Sequence, residues 1–400
     1  MIQNLIVLNN KKKYMSKNDF DISEFEKRHS RVRSEMEKSG IDLLLVFAPA
    51  NINYLIGTPS KGYQEFQVLF FPLKPGKLTI LTRLPDTLHL KAESLADEVI
   101  GWGGREPEDP IDVMKRIMTE RNLYGLRTGI EVPYFYLHPY HYKKIIDLIG
   151  DPLIKDATDL IGSIRLVKST TELEYVKKAA NILDKSMVTC MNSIEAGKTE
   201  RQVSADIHHT LLSSGSDIPS SPMNFLTGPR SAYAHAEPSD RVINNGDFMH
   251  IQFGAHWKRY CCTIGRQISL GKPTQRMLDI YQVARDAVDA CIDVMKPDVP
   301  ATVPHEAAKN IIAKAGMDSY RLHMTGYAVG AAFPPSWVEP LVLEDNCPYV
   351  LKEGMIIAVE PPLFGFEDGL GVRVIENVLI TRNGTQALCK TTRDLIILDD

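Results

Sequence analysis

An α/β (α+β) fold in two domains is what this sequence predicts, and three observations carry the prediction. The chain has 400 residues, 44% of them hydrophobic, enough for sizeable cores and long enough to favour two or three domains over one. Short apolar runs of strand length alternate with amphipathic helical segments through residues 15–160. Beyond them, CMNSIEAGKTERQVSADIHHTLLSSG is echoed by CIDVMKPDVPATVPHEAAKNIIAKAG, with Cys190 on Cys291 and Gly215 on Gly316 at a common offset of 101.

Residues 1–14 read as a frayed extension, because their apolar run is too short for the core of a signal peptide and the lysines follow it instead of preceding it. Ser23 with Glu26 makes a capping-box pattern that opens an amphipathic helix through EFEKRHSRVRSEMEKSG, stopped by Gly40. IDLLLVF reads as a buried strand. FQVLFFPL and KLTILTRL are two more, separated by the turn residues Lys74-Pro75-Gly76. Asp109-Pro110 supplies the N-cap and first residue of a helix, TGIEVPYF a strand, and HPYHYKKIIDLIG another helix. Residues 15–165 are thus expected to form a small α/β domain.

Residues 166–400 are expected to form the second. Ser169-Thr170-Thr171-Glu172 is a capping box ahead of a long helix through LEYVKKAANILDKSMVTCMNSI. Both copies of the repeat read as helix, turn, helix, and just downstream GDFMHIQF (246–253) parallels GMIIAVEP (354–361), which superposes Gln252 on Glu360. A period this long marks a duplicated half-domain about a pseudo-two-fold axis, with a pocket between the two sheets. FMHIQFG and RYCCTIGRQ are expected to pair antiparallel around Trp257-Lys258, so that the numbers of facing residues sum to 515 and Gln252 faces Thr263. Cys261 then shares their face and Cys262 does not. The turn lacks Asn-Gly chemistry, so a bulge at Gly254 is the alternative.

A net charge of -4 from 46 basic and 50 acidic residues, without a long like-charged run, leaves no footprint for nucleic acid or a membrane surface. Small polar or charged molecules are the expected ligands. The six cysteines have no C-x-x-C or C-x-x-H spacing, which suggests a reducing cytoplasm, and no apolar segment approaches the length of a membrane span.

Several ordered motifs then fall together. GDFMHIQFGAHWKRYCCTIGRQISLG, GYAVG (326–330), MIIAVEPPL (355–363) and GVRVIENVLIT (371–381) resemble the pita-bread family of aminopeptidase P, prolidase, methionine aminopeptidase and creatinase, over nearly all of residues 165–400. NINYLIG (51–57) resembles the creatinase N-terminal domain. The resemblance implies a creatinase-like N-terminal α/β domain followed by a pita-bread catalytic domain with internal pseudo-two-fold duplication.

Metallopeptidases of that family hold a pair of divalent cations with two aspartates, a histidine and two glutamates. By resemblance those positions are Gln252, Thr263, Tyr327, Glu360 and, by strict spacing, Ile375, with Glu376 one residue further on. An amide, a hydroxyl, a phenol and one carboxylate do not supply the anionic oxygen and imidazole donors that two such cations need, so no metal and no cofactor is expected. The family's second histidine, seven residues past Tyr327, is here Pro334. Among the metal-independent branches, KRYCCTIGRQ, GYAVGAAFPPSWVE and RVIENVLIT are most similar to ectoine hydrolase, and MIIAVEPPL to creatinase and prolidase. Ectoine hydrolases place a glutamate nucleophile at the position of Gln252, a role that an amide cannot fill.

His235, in AYAHAEPSDRVI, matches the histidine that creatinases use as general acid and base. An imidazole titrating near neutrality can take and return a proton; the bland alternative is a loop histidine capping a turn. Glu360 ends the apolar strand IIAV, where a buried carboxylate needs a partner, either a substrate cation or an internal arginine such as Arg373. Strand alternation puts Glu376 on one face and Arg373 with Ile375 on the other. Gln252, Thr263 and Tyr327 are expected to orient the substrate, or simply to pack. Cys261 offers a thiolate nucleophile, against the commoner case of an inert core thiol. His323 and His256 read as structural or exposed. In creatinases an aromatic residue and an arginine after NINY reach into the partner subunit's site, and the matching positions are Tyr63 and Glu65; an acid there favours a cationic or neutral substrate end.

The expectation is a cytoplasmic, homodimeric, metal-independent hydrolase of a non-peptide C–N bond in a small cationic metabolite. His235 and Glu360 would be catalytic, with Gln252, Thr263, Tyr327, Glu376, Arg373, Cys261, Tyr63 and Glu65 at the substrate. Two alternatives stand beside it: a metal-dependent Xaa-Pro peptidase-like enzyme or lyase with a degenerate site at Glu360, Glu376 and His235 or His323, and a non-catalytic binding module.

Overall fold

Strands that are apolar on both faces need cover on both sides, and the N-terminal strands are built that way. A computed structural model describes residues 20–150 and 153–399; the expected extension, residues 1–14, lies outside the described residues. The chain divides between Ile164 and Arg165 into two compact units.

The first unit runs α1 (Ile22–Ser39), β1 (Leu43–Val46), α2 (Pro49–Ile56), β2 (Val68–Pro72), β3 (Thr79–Arg83), α3 (Thr87–Glu93), β4 (Glu98–Trp102), α4 (Pro110–Glu120), β5 (Thr128–Ile130), α5 (Pro139–Ile149) and β6 (Ile154–Asp156), before α6 (Leu160–Arg165). Its six strands lie in the order β4-β3-β2-β1-β5-β6. The period-2 alternation of a strand sorts its side chains to opposite faces. Leu44, Val46, Leu69 and Phe71 pack with Val32, Met36 and Ile161 of α1 and α6, while Leu43, Leu45, Val68 and Phe70 pack with Met114, Ile117 and Ile145 of α4 and α5. Asp109 caps α4 by accepting from the Ile111 N–H at 2.9 Å, with Pro110 in the first turn. The Ser23–Glu26 capping box does not form: α1 starts two residues earlier, Asp21 holds the N-cap position without a side-chain cap bond, and Ser23 lies inside the first turn. Gly40 closes the helix in the left-handed conformation, φ 63°.

The second unit contains α7 (Thr170–Ser193), α8 (Glu200–Ser213), β7 (Asn224–Thr227), β8 (Phe248–Trp257), β9 (Tyr260–Leu270), α9 (Gln275–Asp293), α10 (Thr302–Lys314), β10 (Gly326–Phe333), β11 (Ser336–Val342), β12 (Ile356–Val359), β13 (Glu376–Thr381), β14 (Gly384–Ala387) and β15 (Ile396–Leu398). The expected capping box at Ser169 and Glu172 forms in full, which is worth about 1 kcal/mol. The two copies of the repeat become the pairs α7–α8 and α9–α10; α7 packs on β8 and β9, and α9 on β12 and β14. A nine-stranded sheet runs β14-β13-β12-β10-β9-β8-β7, with β11 on β10 and β15 on β9. The halves meet along the edge of β9 opposite β8, through Ala331↔Tyr260 and Gly265↔Ile375.

The β8–β9 register differs from the expected one by two residues. Facing numbers sum to 517, so that Gln252 faces Gly265 and Thr263 faces Gly254. Lys258 and Arg259 both adopt positive φ, 52° and 70°, making a tight two-residue turn without Asn or Gly, and the pairing runs unbroken past Gly254 with no bulge. A two-residue shift preserves parity, so Gln252, Cys261 and Thr263 still share a face. All six cysteines are free and buried. Among the described residues, no helix is long and apolar enough to cross a membrane.

Candidate functional site

The duplication brings the middle of β8 beside the end of β12, and with them Gln252 beside Glu360. Glu360 is 1% exposed, a costly place for a carboxylate unless its oxygens are served. Its Oε2 accepts hydrogen bonds from Gln252 Nε2 at 3.3 Å and from the Tyr327 hydroxyl at 3.1 Å. Asn224 Nδ2 donates to Gln252 Oε1 at 3.0 Å, and Trp337 Nε1 donates to the Tyr327 oxygen at 3.0 Å. A continuous chain Asn224–Gln252–Glu360–Tyr327–Trp337 therefore fixes one carboxylate oxygen. The other, Oε1, accepts no hydrogen bond, although His323 Nδ1 lies 3.2 Å from it. The His323 ring is 5.3 Å from that of His235, whose residue is exposed.

Arg373 is wholly buried. Its Nη2 donates to the Ala234 carbonyl at 2.8 Å and its guanidinium lies 4.9 Å over the Phe364 ring, while Nε and Nη1 have no partner. Arg373 forms no direct ion pair with Glu360, yet its charge acts on every titrating group of the cluster. Burial pushes the Glu360 carboxyl up to about 7, against the pull of Arg373 and the Tyr327 hydrogen bond. Burial, then Arg373, holds His323 down at about 4, and His235 also at about 4 with His323 as a third cause. The Tyr327 phenol is pushed well above its ordinary value by burial and by Glu360. Near neutral pH the cluster thus comprises two neutral imidazoles, a permanent cation and a carboxyl that titrates close to 7, a set able to hold a charged small molecule and to move a proton.

Of the residues singled out from sequence, Glu360, Gln252, Tyr327, Arg373 and, through His323, His235 come together. Others do not. Thr263 bonds to Asn377, whose Nδ2 donates to Thr263 Oγ1 at 2.9 Å and whose Oδ1 accepts from the Thr263 N–H at 2.9 Å. Glu376 is engaged by Arg266 at 3.2 Å and Arg393 at 3.6 Å. Burial and then Glu339 push the Cys261 thiol up to about 12, so the thiolate considered from sequence does not form near neutrality. Tyr63 and Glu65 were expected at a partner subunit's site, not at their own; within the first unit the Tyr63 ring meets Tyr136 edge-on at 5.8 Å and Glu65 is exposed. His323, read as structural or exposed, sits instead beside Glu360. It follows a short 3-10 turn, Asp318–Tyr320, where no periodicity marks which way a side chain faces. Asn224 was also unmarked, because it acts through a neighbour. His256 is structural as expected, its Nε2 2.8 Å from Ser220 Oγ.

Comparison with known proteins identifies the class. Residues 174–382 match Metallopeptidase family M24 and residues 28–167 match the Creatinase/Prolidase N-terminal domain; the chain belongs to this family. It is 33% identical over 368 residues to a Xaa-Pro dipeptidase of Pyrococcus furiosus, covering 90% of this chain and 97% of that one. It is 30% identical over 366 residues to a Xaa-Pro dipeptidase of Pyrococcus horikoshii, covering 90% and 96%. The crystal structure of the prolidase from Pyrococcus horikoshii superposes with a TM-score of 0.80 at 27% identity, over 92% of this chain and all of that one. These matches overturn the expected placement with ectoine hydrolase and creatinase, and with it the metal-independent hydrolysis of a non-peptide C–N bond. The motifs that suggested it are short stretches of β9, β10 and β13, whereas the likeness to Xaa-Pro dipeptidases extends over nine-tenths of the chain.

Membership of a metallopeptidase family raises the question of whether the central residues fit a metal pair. Gln252 Oε1 and Thr263 Oγ1 already accept from asparagine amides, and the Tyr327 hydroxyl is spent on Glu360. Ile375 is apolar and packs on Gly265. Glu360 Oε1 is a carboxylate oxygen without a hydrogen-bond partner, and so is Glu376 Oε1, whose other oxygen is taken by Arg266 and Arg393. Among the described residues no three His, Cys, Asp or Glu side chains converge there at ligand distance. This donor set does not fit a pair of divalent cations.

Proposed function

We propose that this chain acts on dipeptides of the Xaa-Pro class and hydrolyses their peptide bond. The observation that carries the reading is the pairing of opposite unmet charges: two unpartnered nitrogens on buried Arg373 and one unpartnered oxygen on buried Glu360. A dipeptide is a zwitterion, with a carboxylate that a guanidinium holds through paired hydrogen bonds and an ammonium that suits a carboxylate. Full-length similarity to Xaa-Pro dipeptidases supports the same substrate class.

In this reading Arg373 anchors the carboxylate end, while Gln252 and Tyr327 fix the orientation of Glu360. Glu360, titrating at about 7, takes a proton from the attacking water and returns it to the leaving nitrogen, while a neutral imidazole of His235 or His323 hydrogen-bonds the scissile amide. The proposal keeps a homodimer, with Tyr63 and Glu65 at the partner's site, and a cytoplasmic location. A second reading, a dipeptide-binding protein without turnover, is favoured by the replacements at Gln252, Thr263, Tyr327 and Ile375.

Proline release from a panel of Xaa-Pro dipeptides, assayed with and without added manganese, cobalt or zinc, separates the two. The hydrolase reading expects saturable release that Glu360→Gln lowers at least about 100-fold. Thermal stabilisation by dipeptides without proline release under any condition selects the binding protein, and neither effect defeats both.

A further inference from the structure

The second unit holds another cluster of ligand-type side chains, outside the central site. His305 and Glu306 lie in the first turns of α10, and Asp345 in the loop that follows β11. One ligand atom from each lies within 4.8 Å of the others. An acidic surface cluster means little alone, but the histidine here is not a surface residue: His305 is 3% exposed. Its Nδ1 is 2.8 Å from the Thr325 hydroxyl, a contact that fixes the ring as outer-shell partners fix metal-ligating histidines. Its Nε2 is buried, has no hydrogen-bond partner and faces the two carboxylates, 3.2 Å from Asp345 Oδ1.

We propose that His305, Glu306 and Asp345 form a binding site for a single divalent cation of the zinc class. Zinc bonds to nitrogen and oxygen are about 2.1 Å long, so a nitrogen and an oxygen 3.2 Å apart subtend about 100° at a shared ion, close to tetrahedral. One imidazole and two carboxylates make a three-ligand set that leaves a fourth position for water. Lys309 is the competing cation, its Nζ 2.7 Å from Asp345 Oδ1 and 3.6 Å from Glu306 Oε1. It serves the carboxylates but leaves Nε2 of His305 unserved, and its side chain is only half-buried. Thr325, on the other side of the His305 ring, accepts the Glu360 N–H at 2.8 Å through its carbonyl, which puts this site two hydrogen bonds from the central cluster.

The test is calorimetric titration of zinc into the full-length, chelator-stripped protein. One stoichiometric binding event is expected, weakened at least about tenfold by Asp345→Asn, whose exposed position spares the fold, and also weakened by His305→Gln. Lys309→Met should tighten it several-fold. Glu360→Gln should leave it unchanged, which separates this ion from any held centrally. The proposal fails if no zinc binds up to millimolar concentration, if Asp345→Asn binds as tightly as the parent, or if Glu360→Gln abolishes the event.

Discussion

His323 Nδ1 lies 3.2 Å from Oε1 of Glu360 and yet makes no hydrogen bond to it, because the same nitrogen is 3.1 Å from the Met324 carbonyl. An imidazole and a carboxyl thus sit in contact, each shifted away from its charged form by burial. The first prediction concerns the carboxyl. Its folded pKa of about 7 exceeds the ordinary 4.5, so the folded state binds more protons between those values. The stability attributable to Glu360 is whole below about pH 4.5 and is lost as pH rises through 7. Melting temperatures at pH 5 and pH 8 should differ less in Glu360→Gln than in the parent, and equal differences would mean that the carboxyl titrates ordinarily.

The imidazole carries the opposite sign. His323, with a folded pKa of about 4 against 6.5, binds fewer protons in the folded state, so its cost appears as pH falls from 6.5 to 4 and is absent above. His323→Asn should lose less stability than the parent on acidification through that window, with the two alike in slope above pH 7. Urea midpoints at pH 4.5 and 7.5 measure it.

How much of this was legible in the sequence depended on whether a signal was local. The Ser169 box and the Asp109 cap rest on residues whose meaning is set within a turn or two, the 101-residue offset on two stretches that can be compared without knowing what they touch, and the folded chain carries all three. The β8–β9 register was not legible: a tight turn through Lys258 and Arg259 needs two positive φ values that neither residue advertises. The Ser23 box failed because Asp21, two residues earlier, was an equally good start. At the site, Glu360 and Gln252 were visible through the duplication, but the partners that decide their chemistry, His323 and Asn224, arrive from loops and strands far along the chain. Thr263 looked like a substrate ligand until Asn377, 114 residues away, claimed its hydroxyl.

Arg266 explains why Glu376 faces no substrate, and it yields a stability prediction. The guanidinium is fully buried and donates to the carbonyls of Thr392, Gly265, Ile375 and Thr391 as well as to Glu376 Oε2. Glu376→Gln leaves those four carbonyl bonds in place, whereas Arg266→Met strands the carbonyls and a buried carboxylate together. The arginine variant should lose about 3–5 kcal/mol and the glutamine variant distinctly less, in urea unfolding at pH 7. The reverse order would show that the carboxylate, not the carbonyl cage, is what Arg266 is there to hold.

Gln252→Glu tests whether the amide at this position is an electrostatic requirement. Gln252 Nε2 donates to Glu360 Oε2 at 3.3 Å, and a near-isosteric glutamate would replace that donor with a second carboxyl in the same buried place. Two carboxyls at such a distance do not both ionise, so the pair keeps one proton to higher pH than Glu360 alone. At pH 5 the shared proton restores an O–H···O bond and the variant should melt close to the parent. At pH 8 one carboxyl must either hold its proton against solvent or repel its neighbour, at a cost of roughly 1–3 kcal/mol. Thermal melts should therefore show a gap between variant and parent that is small at pH 5 and widens steadily to pH 8. A gap of the same size at both would mean that the loss comes from packing, and that charge plays no part in the choice of an amide here.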